Sequence, residues 1–548
     1  MNTESVFHTL LHDHPGEFES YPVGINEMEA SIPGIAHVDY HTTKTVHRVA
    51  VVGGISSVGP GTEMFLAALK HISQTFANLS LIACYIDFAH PKDSGLQPPE
   101  IDKFYFNNQQ PESPYLWRWL TMGSPDFVIE ICESNKVSIE TSGFAPNSMD
   151  HQEHFSDLDD AGGFLSIIAM GEGDTPGLIP VVRLTCPQSN IKSEIDSIIE
   201  PLVTNQVKPS PARIELSKRE SRTPLEVATT LGKRYGHKLD QPINYTQGVA
   251  ISGRLRLSAL DNSYPDPTEE LVDLLNFLQT PNWFEKNKCS GANLAALCWA
   301  DDLWRNTNNK NWKNILLKAA DVFQEPPDGC APDPCDPEFR CEDMFYISAI
   351  QGRAFQITGD NKYSEMTSNF LLQAETQQEN GLFWHSRETP YFWGRGNGFA
   401  ALGFAEALTY LPQGHSKTQE ILQIHKKHLK CLLDFQLPSG MWSQLINFDG
   451  SYQELSSTCM IGYALARGIR LGWLDSEFIP ALRKSWNAVS KRIDGQANLV
   501  DVCTGTGVQA RMQDYFYRKA ENGYDDRGGS MSLWFATEIE QCYRTLKS

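Results

Sequence analysis

No run of about eighteen apolar residues occurs in the chain, so nothing in it reads as a membrane-spanning helix. The opening residues, MNTESVFHTLLHDHPGEFES, lack the basic start and apolar centre of a secretory signal, and the sequence as written predicts a cytoplasmic protein. Cysteine is sparse, twelve in 548 residues, far below what a disulfide-built scaffold uses. Three of them, Cys330, Cys335 and Cys341, cluster in CAPDPCDPEFRC. No second paired-cysteine motif and no histidine pair accompanies them, so an ordered Pro-rich loop with free thiols is expected rather than a zinc site. Positive charge is also short. Lys and Arg number 46 against 67 Asp and Glu, a net −21. That balance argues against a nucleic-acid or anionic-membrane partner, yet it leaves room for a local basic pocket and an acidic small substrate.

A hydrophobic share of 41% with 21% charged residues is that of a globular chain, and the length predicts two or more domains. Residues 47–205 alternate short apolar runs with helical patterns. His47–Val52 is β-branched and ends at Gly53-Gly54, which reads as a buried strand, and Glu63–Ile72 follows as a helix. Further strands are expected at Leu79–Ile86, Asp126–Ile131 and Pro180–Leu184, with a closing helix over Ile191–Val203. This alternation predicts a three-layer α/β domain with a largely parallel sheet. The loop GGISSVGPG at 53–61 fits neither GxGxxG nor GxxxxGK[ST], which weakens a nucleotide-binding reading. Residues 1–46 are read as an extension and 206–250, mixed and Pro/Lys/Arg-bearing, as a linker.

From 251 to 548 strand signals give way to amphipathic helical patterns. Thr307, Thr358 and Thr409 fall 51 residues apart, each at the end of one helix and before the next. A repeat of that length with two helices and one polar turn indicates stacked helical hairpins. About six of them, closed into a ring, form an all-α (α/α)₆ barrel with the long loops on one face. Those loops hold the most informative stretch, Tyr391-Phe392-Trp393-Gly394-Arg395-Gly396-Asn397-Gly398-Phe399, just after Gly381-Leu382-Phe383-Trp384-His385. Glycine at every second position is poor helix interior, so a loop is expected that aims Arg395, Asn397 and the aromatics at a ligand. Aromatic faces beside a fixed guanidinium suit an acidic sugar. Asp343 begins a helix, MFYISAIQGRAF, opposite this loop. It serves either as a first-turn acid on the helix dipole or as a sheltered general acid.

The order of these motifs resembles the unsaturated glucuronyl and rhamnogalacturonyl hydrolases, glycoside hydrolase families 88 and 105. The resemblance runs from the Asp343 helix start through GLFWH and FWGRGNG to Ser439-Gly440-Met441-Trp442, Glu454-Leu455-Ser456-Ser457-Thr458 and Asp526-Arg527-Gly528-Gly529. It implies removal of a terminal, 4,5-unsaturated uronic acid from an oligosaccharide by hydration of the enol ether. Asp343 would then be the catalytic acid, and His385, Arg395 and Asn397 substrate-binding. Trp393 and Trp442 would be stacking walls, with no metal and no organic cofactor. A second acid usual on the preceding helix is absent from Cys289-Ser290-Gly291-Ala292-Asn293, and Arg340-Cys341 replaces an aromatic before the acid. A glycosidase on a saturated uronic acid, using Glu342, Glu454 or Asp526 as second carboxylate, therefore stays open, as does a carbohydrate-binding protein without turnover. The first half resembles the zinc-carboxypeptidase-like α/β domain. The His-Glu pair that would hold zinc is missing between Ser56 and Glu63, which predicts an inactive accessory domain.

Overall fold

The computed structural model describes every residue except 1–2, 43–46, 57–58, 87–94, 107–108, 145–154, 160–161, 205–206, 281–282, 284–288, 325–329, 415 and 548. Part of the 53–61 glycine loop thus lies outside the described residues. No described helix is long and apolar enough to cross a membrane.

The N-terminal half is built on an eight-stranded sheet. Its strands are β1 (Phe18–Ser20), β2 (Gly34–His37), β3 (His47–Gly53), β4 (Leu79–Tyr85), β5 (Phe127–Glu133), β6 (Ser138–Ser142), β7 (Phe155–Asp157) and β8 (Val181–Cys186). They lie in the order β1-β2-β4-β3-β5-β8-β6-β7. The centre, β4-β3-β5-β8, is parallel, while β2 on β4 and β6 on β8 run antiparallel. Side chains of a strand alternate between faces. Val49 and Val51 join helices Thr62–Thr75 and Ile191–Thr204 in one core. Ala50 and Val52 join helices Glu112–Gly123 and Phe164–Met170 in another. The segment 1–46 is thus no extension, because β1 and β2 complete one edge of the sheet through antiparallel pairing.

The C-terminal half is helical. Among the described residues, six helices stand side by side in a ring: α1 (Tyr245–Leu260), α2 (Ala300–Thr307), α3 (Cys341–Thr358), α4 (Gly394–Tyr410), α5 (Leu455–Arg470) and α6 (Asp526–Lys547). α1 meets α2, α3 packs on α4, α4 on α5, α5 on α6, and α6 returns to α1; the short helix Gly291–Ala295 ahead of α2 packs on α3. An outer helix precedes each: Pro224–Gly232, Thr268–Leu275, Lys310–Val322, Asn361–Gln373, Ser416–Asp434 and Ile479–Lys491. Within the segment read as a linker, Pro224–Gly232 and the start of α1 therefore belong to the first hairpin. The 51-residue repeat has a physical basis in Thr307, Thr358 and Thr409, whose hydroxyls each donate to the carbonyl four residues back at 2.7 Å as the helix ends.

The GRGNG run is not a loop. It forms the first turn of α4. A Cβ on Gly394 would stand 2.4 Å from the Ser443 carbonyl, and one on Gly403 would stand 2.4 Å from the Met344 backbone on α3. Glycine's propensity cost of about 1 kcal/mol per residue is offset by this close approach of helices.

Near the C-terminal ends of the ring lies a polar network that takes a residue from every inner helix. Arg353 binds Glu406 at 2.8 Å and Asp301 at 3.3 Å. Arg467 and Arg470 each bind Glu538 at 2.6 Å. Tyr463 donates to Glu406 at 2.5 Å and accepts from Arg256 at 3.1 Å. Glu406 is fully buried. Burial alone would raise its carboxyl, but Arg353, Arg467 and Arg256 outweigh it and hold the pKa at about 2, against an ordinary 4.5. Removing one partner of such a group leaves its neighbours unpaired, so Glu406→Gln should cost about 3–5 kcal/mol in chemical unfolding. A depressed carboxyl stabilises above its unfolded pKa and loses that contribution as pH falls. The gap between the two proteins should thus hold at neutral pH, narrow below 4.5 and close as pH falls through about 2.

Candidate functional site

The first turns of α1, α3, α4 and α6 meet on the face carrying the long loops, and there a cavity of about 590 Å³ opens. Tyr245 and Thr246 of α1, Glu342 and Tyr346 of α3, Arg395 and Phe399 of α4, and Asp526 and Arg527 of α6 line it. The loop Gly505–Gly507 and Asp525 close one side. A larger cavity, about 730 Å³, lies beside the ion-pair network at the opposite end, around Arg256, Asn262, Asp302 and Asn306. The mouth is the better candidate, because helix N-termini converge on it and carry partial positive charge toward an anion.

Tyr245, Tyr346 and Phe399 form the aromatic wall, with ring centroids 5.4–5.8 Å apart. None of the three was expected from the sequence. Tyr346 was within reach, since it stands four residues after Glu342 and so on the same helix face. Tyr245 lay in the segment read as a linker.

Two adjacent carboxyls begin α3, and the structure separates them. Successive helix residues point about 100° apart. Glu342 faces the cavity, and its Oε2 lies 3.2 Å from His385 Nε2. His385 is fully buried, its Nδ1 2.6 Å from the Tyr515 hydroxyl. Burial would raise the Glu342 carboxyl, but the His385 imidazole and its hydrogen bond outweigh burial and hold it below its ordinary value. Asp343 does not line the cavity. Its Oδ2 accepts the Asp336 backbone N–H at 2.9 Å, under the 335–336 loop. Its carboxyl is pushed up to about 8, chiefly by burial, with the Glu342 and Asp336 charges adding and the Asp336 hydrogen bond opposing. The raised pKa expected of Asp343 is therefore present, on a carboxyl that is buried rather than open to the cavity. Of the two α3 acids, Glu342 is the one that lines the cavity.

Arg395 is almost completely buried at the cavity floor. Its Nη1 donates to the Cys503 carbonyl at 2.5 Å and to Ser456 Oγ at 3.4 Å, and Nη2 donates to the Thr504 carbonyl at 2.7 Å. Three of its five N–H donors are so used. Of the three lining arginines, Arg340 pairs with Asp336 and Arg527 with Asp525. Arg395 alone has no carboxylate partner among the described residues.

Of the remaining expected site residues, Trp393 lines the cavity, and Asn397 and Trp442 do not. Asn397 is buried: its Oδ1 accepts the Phe383 N–H at 2.9 Å, and its Nδ2 donates to the carbonyls of Phe383 and Trp393 at 3.0 and 3.1 Å. It pins the strand leading to His385 against α4. Trp393 is 1% exposed and wedged between His385, 4.4 Å away, and Arg395, 4.8 Å away. Trp442 is no stacking wall. It is fully buried in the helical core, and its Nε1 donates to the Leu432 carbonyl at 2.7 Å. Glu454 caps α5, accepting from Ser456, Ser457 and Cys503 N–H groups. Asp526 stands at the rim, held by Tyr524 at 2.7 Å and raised by burial. Cys330, Cys335 and Cys341 are free thiols. Among the described residues no three His, Cys, Asp or Glu side chains gather as metal ligands.

Residues 225–543 match the family described as Glycosyl Hydrolase Family 88. An unsaturated 3S-rhamnoglycuronyl hydrolase of Alteromonas sp. (strain LOR) is 31% identical over 174 residues, 29% of this chain and 42% of that protein. The unsaturated rhamnogalacturonyl hydrolase YesR of Bacillus subtilis (strain 168) is 28% identical over 124 residues, 23% of this chain and 34% of that protein. The chain spans less than half the length of these curated relatives. A solved C. acetobutylicum ATCC 824 glycoside hydrolase from family 105 superposes with a TM-score of 0.48 at 17% identity, covering 54% of this chain and 93% of that one.

The placement of Asp343 predicts a stability effect. A carboxyl that keeps its proton up to about pH 8 when folded, but ionises near 3.8 when unfolded, makes the native state lose stability as pH rises between those values. Asn cannot ionise and can still accept the Asp336 N–H. Asp343→Asn should match wild type near pH 4 and exceed it by at least about 1–2 kcal/mol at pH 8 in urea unfolding. A constant difference across that range would remove the buried proton.

Proposed function

The chain belongs to glycosyl hydrolase family 88, and we propose that it removes a terminal 4,5-unsaturated uronic acid from oligosaccharides left by polysaccharide lyases. The observation that carries this reading is the mouth itself: a carboxyl, Glu342, held by His385, together with Arg395, which has no carboxylate in ion-pair contact among the described residues. The relatives' names supply the substrate class. The ring of hairpins is read as an (α/α)₆ barrel. The mixed sheet ahead of it is read as a carboxypeptidase-like accessory domain.

In this mechanism the sugar's ring lies against Tyr245, Tyr346 and Phe399, and its carboxylate meets the remaining N–H donors of Arg395. His385 holds the Glu342 carboxyl in place through its Nε2, 3.2 Å from Oε2. Entry of an anion and loss of water favour the neutral carboxyl, which delivers its proton to carbon-4 of the enol ether. Water adds at carbon-5 and gives up its proton to the Glu342 carboxylate. The hemiketal so formed opens by breaking the bond between the ring oxygen and carbon-5, which becomes a ketone, and carbon-1, left as a hemiacetal, releases the remaining sugar as an alcohol and becomes an aldehyde. No step draws on a metal or organic cofactor.

The test follows the ultraviolet absorbance of the unsaturated sugar during incubation with lyase-generated oligosaccharides. Absorbance should fall with wild type. Glu342→Gln keeps the shape and loses the proton, so turnover should drop at least about 10²–10⁴-fold with folding intact. Near-normal turnover in folded Glu342→Gln would remove Glu342 from the chemistry. Binding of oligosaccharide without any loss of absorbance by wild type would favour a binding protein.

Arg395 has a separate readout. Arg395→Ala should weaken acidic oligosaccharides by about 2–4 kcal/mol and neutral analogues far less, and Arg395→Lys should recover only part of that. Equal loss for both ligand types would make Arg395 a tie between α4 and the 503–504 backbone and nothing more.

A further inference from the structure

The α/β half does not stand apart from the mouth. One of its two cores continues into the barrel loops: Trp117, Trp119, Tyr105 and Phe104 share a single apolar cluster with Trp393, Leu445, Tyr452 and Cys503. Three polar or ring contacts run through that cluster toward Arg395.

The first is an ion pair. Arg118, on helix Glu112–Gly123, donates from Nε to Asp501 Oδ1 at 3.0 Å and from Nη2 to Asn522 Oδ1 at 3.3 Å. Both Arg118 and Asp501 are buried. Asp501 belongs to strand β9 (Leu499–Cys503), which pairs with β10 (Ala520–Gly523). It is held at φ +61°, a left-handed conformation that a residue with a Cβ adopts only when its surroundings impose it. Two residues further, Cys503 presents its carbonyl to Arg395 and its N–H to Glu454. The second contact is a stack: the Tyr105 ring lies on Tyr452, 4.3 Å between centroids and 6° from parallel. The Tyr452 carbonyl accepts from Gln444, whose own carbonyl accepts the Gly394 N–H at 2.7 Å, at the start of α4. The third is a backbone bond from Ala520 N–H to the Phe104 carbonyl at 3.2 Å.

Arg395 is thus located from two sides by backbone that the α/β half supports. Its helix start hangs from Tyr452 through Gln444, and its carbonyl partners sit at the end of β9. We propose that the α/β half is the positioning element of the sugar site, with Arg118 and Tyr105 as positioning residues that set the geometry of Arg395 without touching the substrate. This inference rests on the reading of the mouth as an acidic-sugar site, and its test has one readout that does not.

The full-length chain carrying Arg118→Met or, separately, Tyr105→Leu is compared with wild type and with Arg183→Met. Arg183 pairs with Glu130 and Glu140 within the sheet, remote from the barrel. Backbone amide hydrogen exchange at 503–507 should quicken about tenfold in the first two variants and stay unchanged in Arg183→Met, because misplacement of about 1 Å suffices to undo such a constellation. With an unsaturated uronyl disaccharide, KM should rise about tenfold while kcat stays within about threefold, since the proton donor lies on α3 outside this chain of contacts. Arg118→Lys, which keeps a single bond to Asp501, should fall between. Folded variants with unchanged exchange at 503–507 would overturn the proposal, as would kcat falling with KM constant. Failure of both variants to fold would overturn it too, since the contact would then be a folding requirement and not a positioning one. Faster exchange in a protein with no turnover of unsaturated uronides would keep the positioning role and sink the substrate reading.

Discussion

The starts of α1, α3, α4 and α6 meet at one cavity and place like partial charges side by side, and that constraint organises the rest of the molecule. Each helix carries roughly half an elementary charge at either terminus. At the C-terminal end the countercharge is built in: Arg256, Arg353, Arg467 and Arg470 stand among three acids, Asp301, Glu406 and Glu538. At the N-terminal end it is supplied in part by Glu342, Glu454, Asp525 and Asp526. Two of these, Glu454 and Asp525, are spent on backbone N–H groups or on an arginine. The mouth therefore keeps a residual attraction for one more anion, centred on Arg395. A strongly acidic chain can in this way hold a site for an acidic sugar.

The same end effect explains why Glu342 and Asp343 differ so much in chemistry while adjacent in sequence. Both sit in the first turn of α3, where either would interact with the helix dipole. Rotation along the helix sends one to the mouth and the other under the 335–336 loop. Glu342 gains a histidine and solvent access through the cavity. Asp343 gains burial and one backbone hydrogen bond, and its pKa climbs to about 8. A raised pKa marks desolvation first and function only where the group can reach a substrate.

Much of this was legible in the sequence wherever a period or a repeat carried the signal. The β-branched run at 47–52 and the apolar run at 79–86 became neighbouring parallel strands, and the threonines spaced by 51 residues became equivalent helix ends. What escaped were features decided by tertiary contact. The GRGNG run reads as a loop by propensity and becomes helix because α4 must approach Ser443 and α3 closely. Trp442 has the composition of a sugar platform, but its indole is fully buried and tied to Leu432. The strands at 18–20 and 34–37 are too short to announce themselves, and they exist because the edge of the sheet supplies their partners.

The join between the two halves follows from how little a ring of hairpins can do for its own loops. Long connections that run over a surface leave backbone groups to solvent and move freely. Here the connections 443–453 and 499–525 carry the carbonyls that hold Arg395 and Gly394, so their freedom would blur the site. The aromatic face of the α/β half covers both, replacing water with Tyr105, Trp117 and Trp119 and closing the buried Arg118–Asp501 pair. Paired charges buried this way contribute little net stability. Their effect is selectivity of geometry: any displacement of β9 separates the buried Asp501 from Arg118, which Asp174 anchors in the α/β half, so the strand has one position of low energy, and Arg395 inherits it.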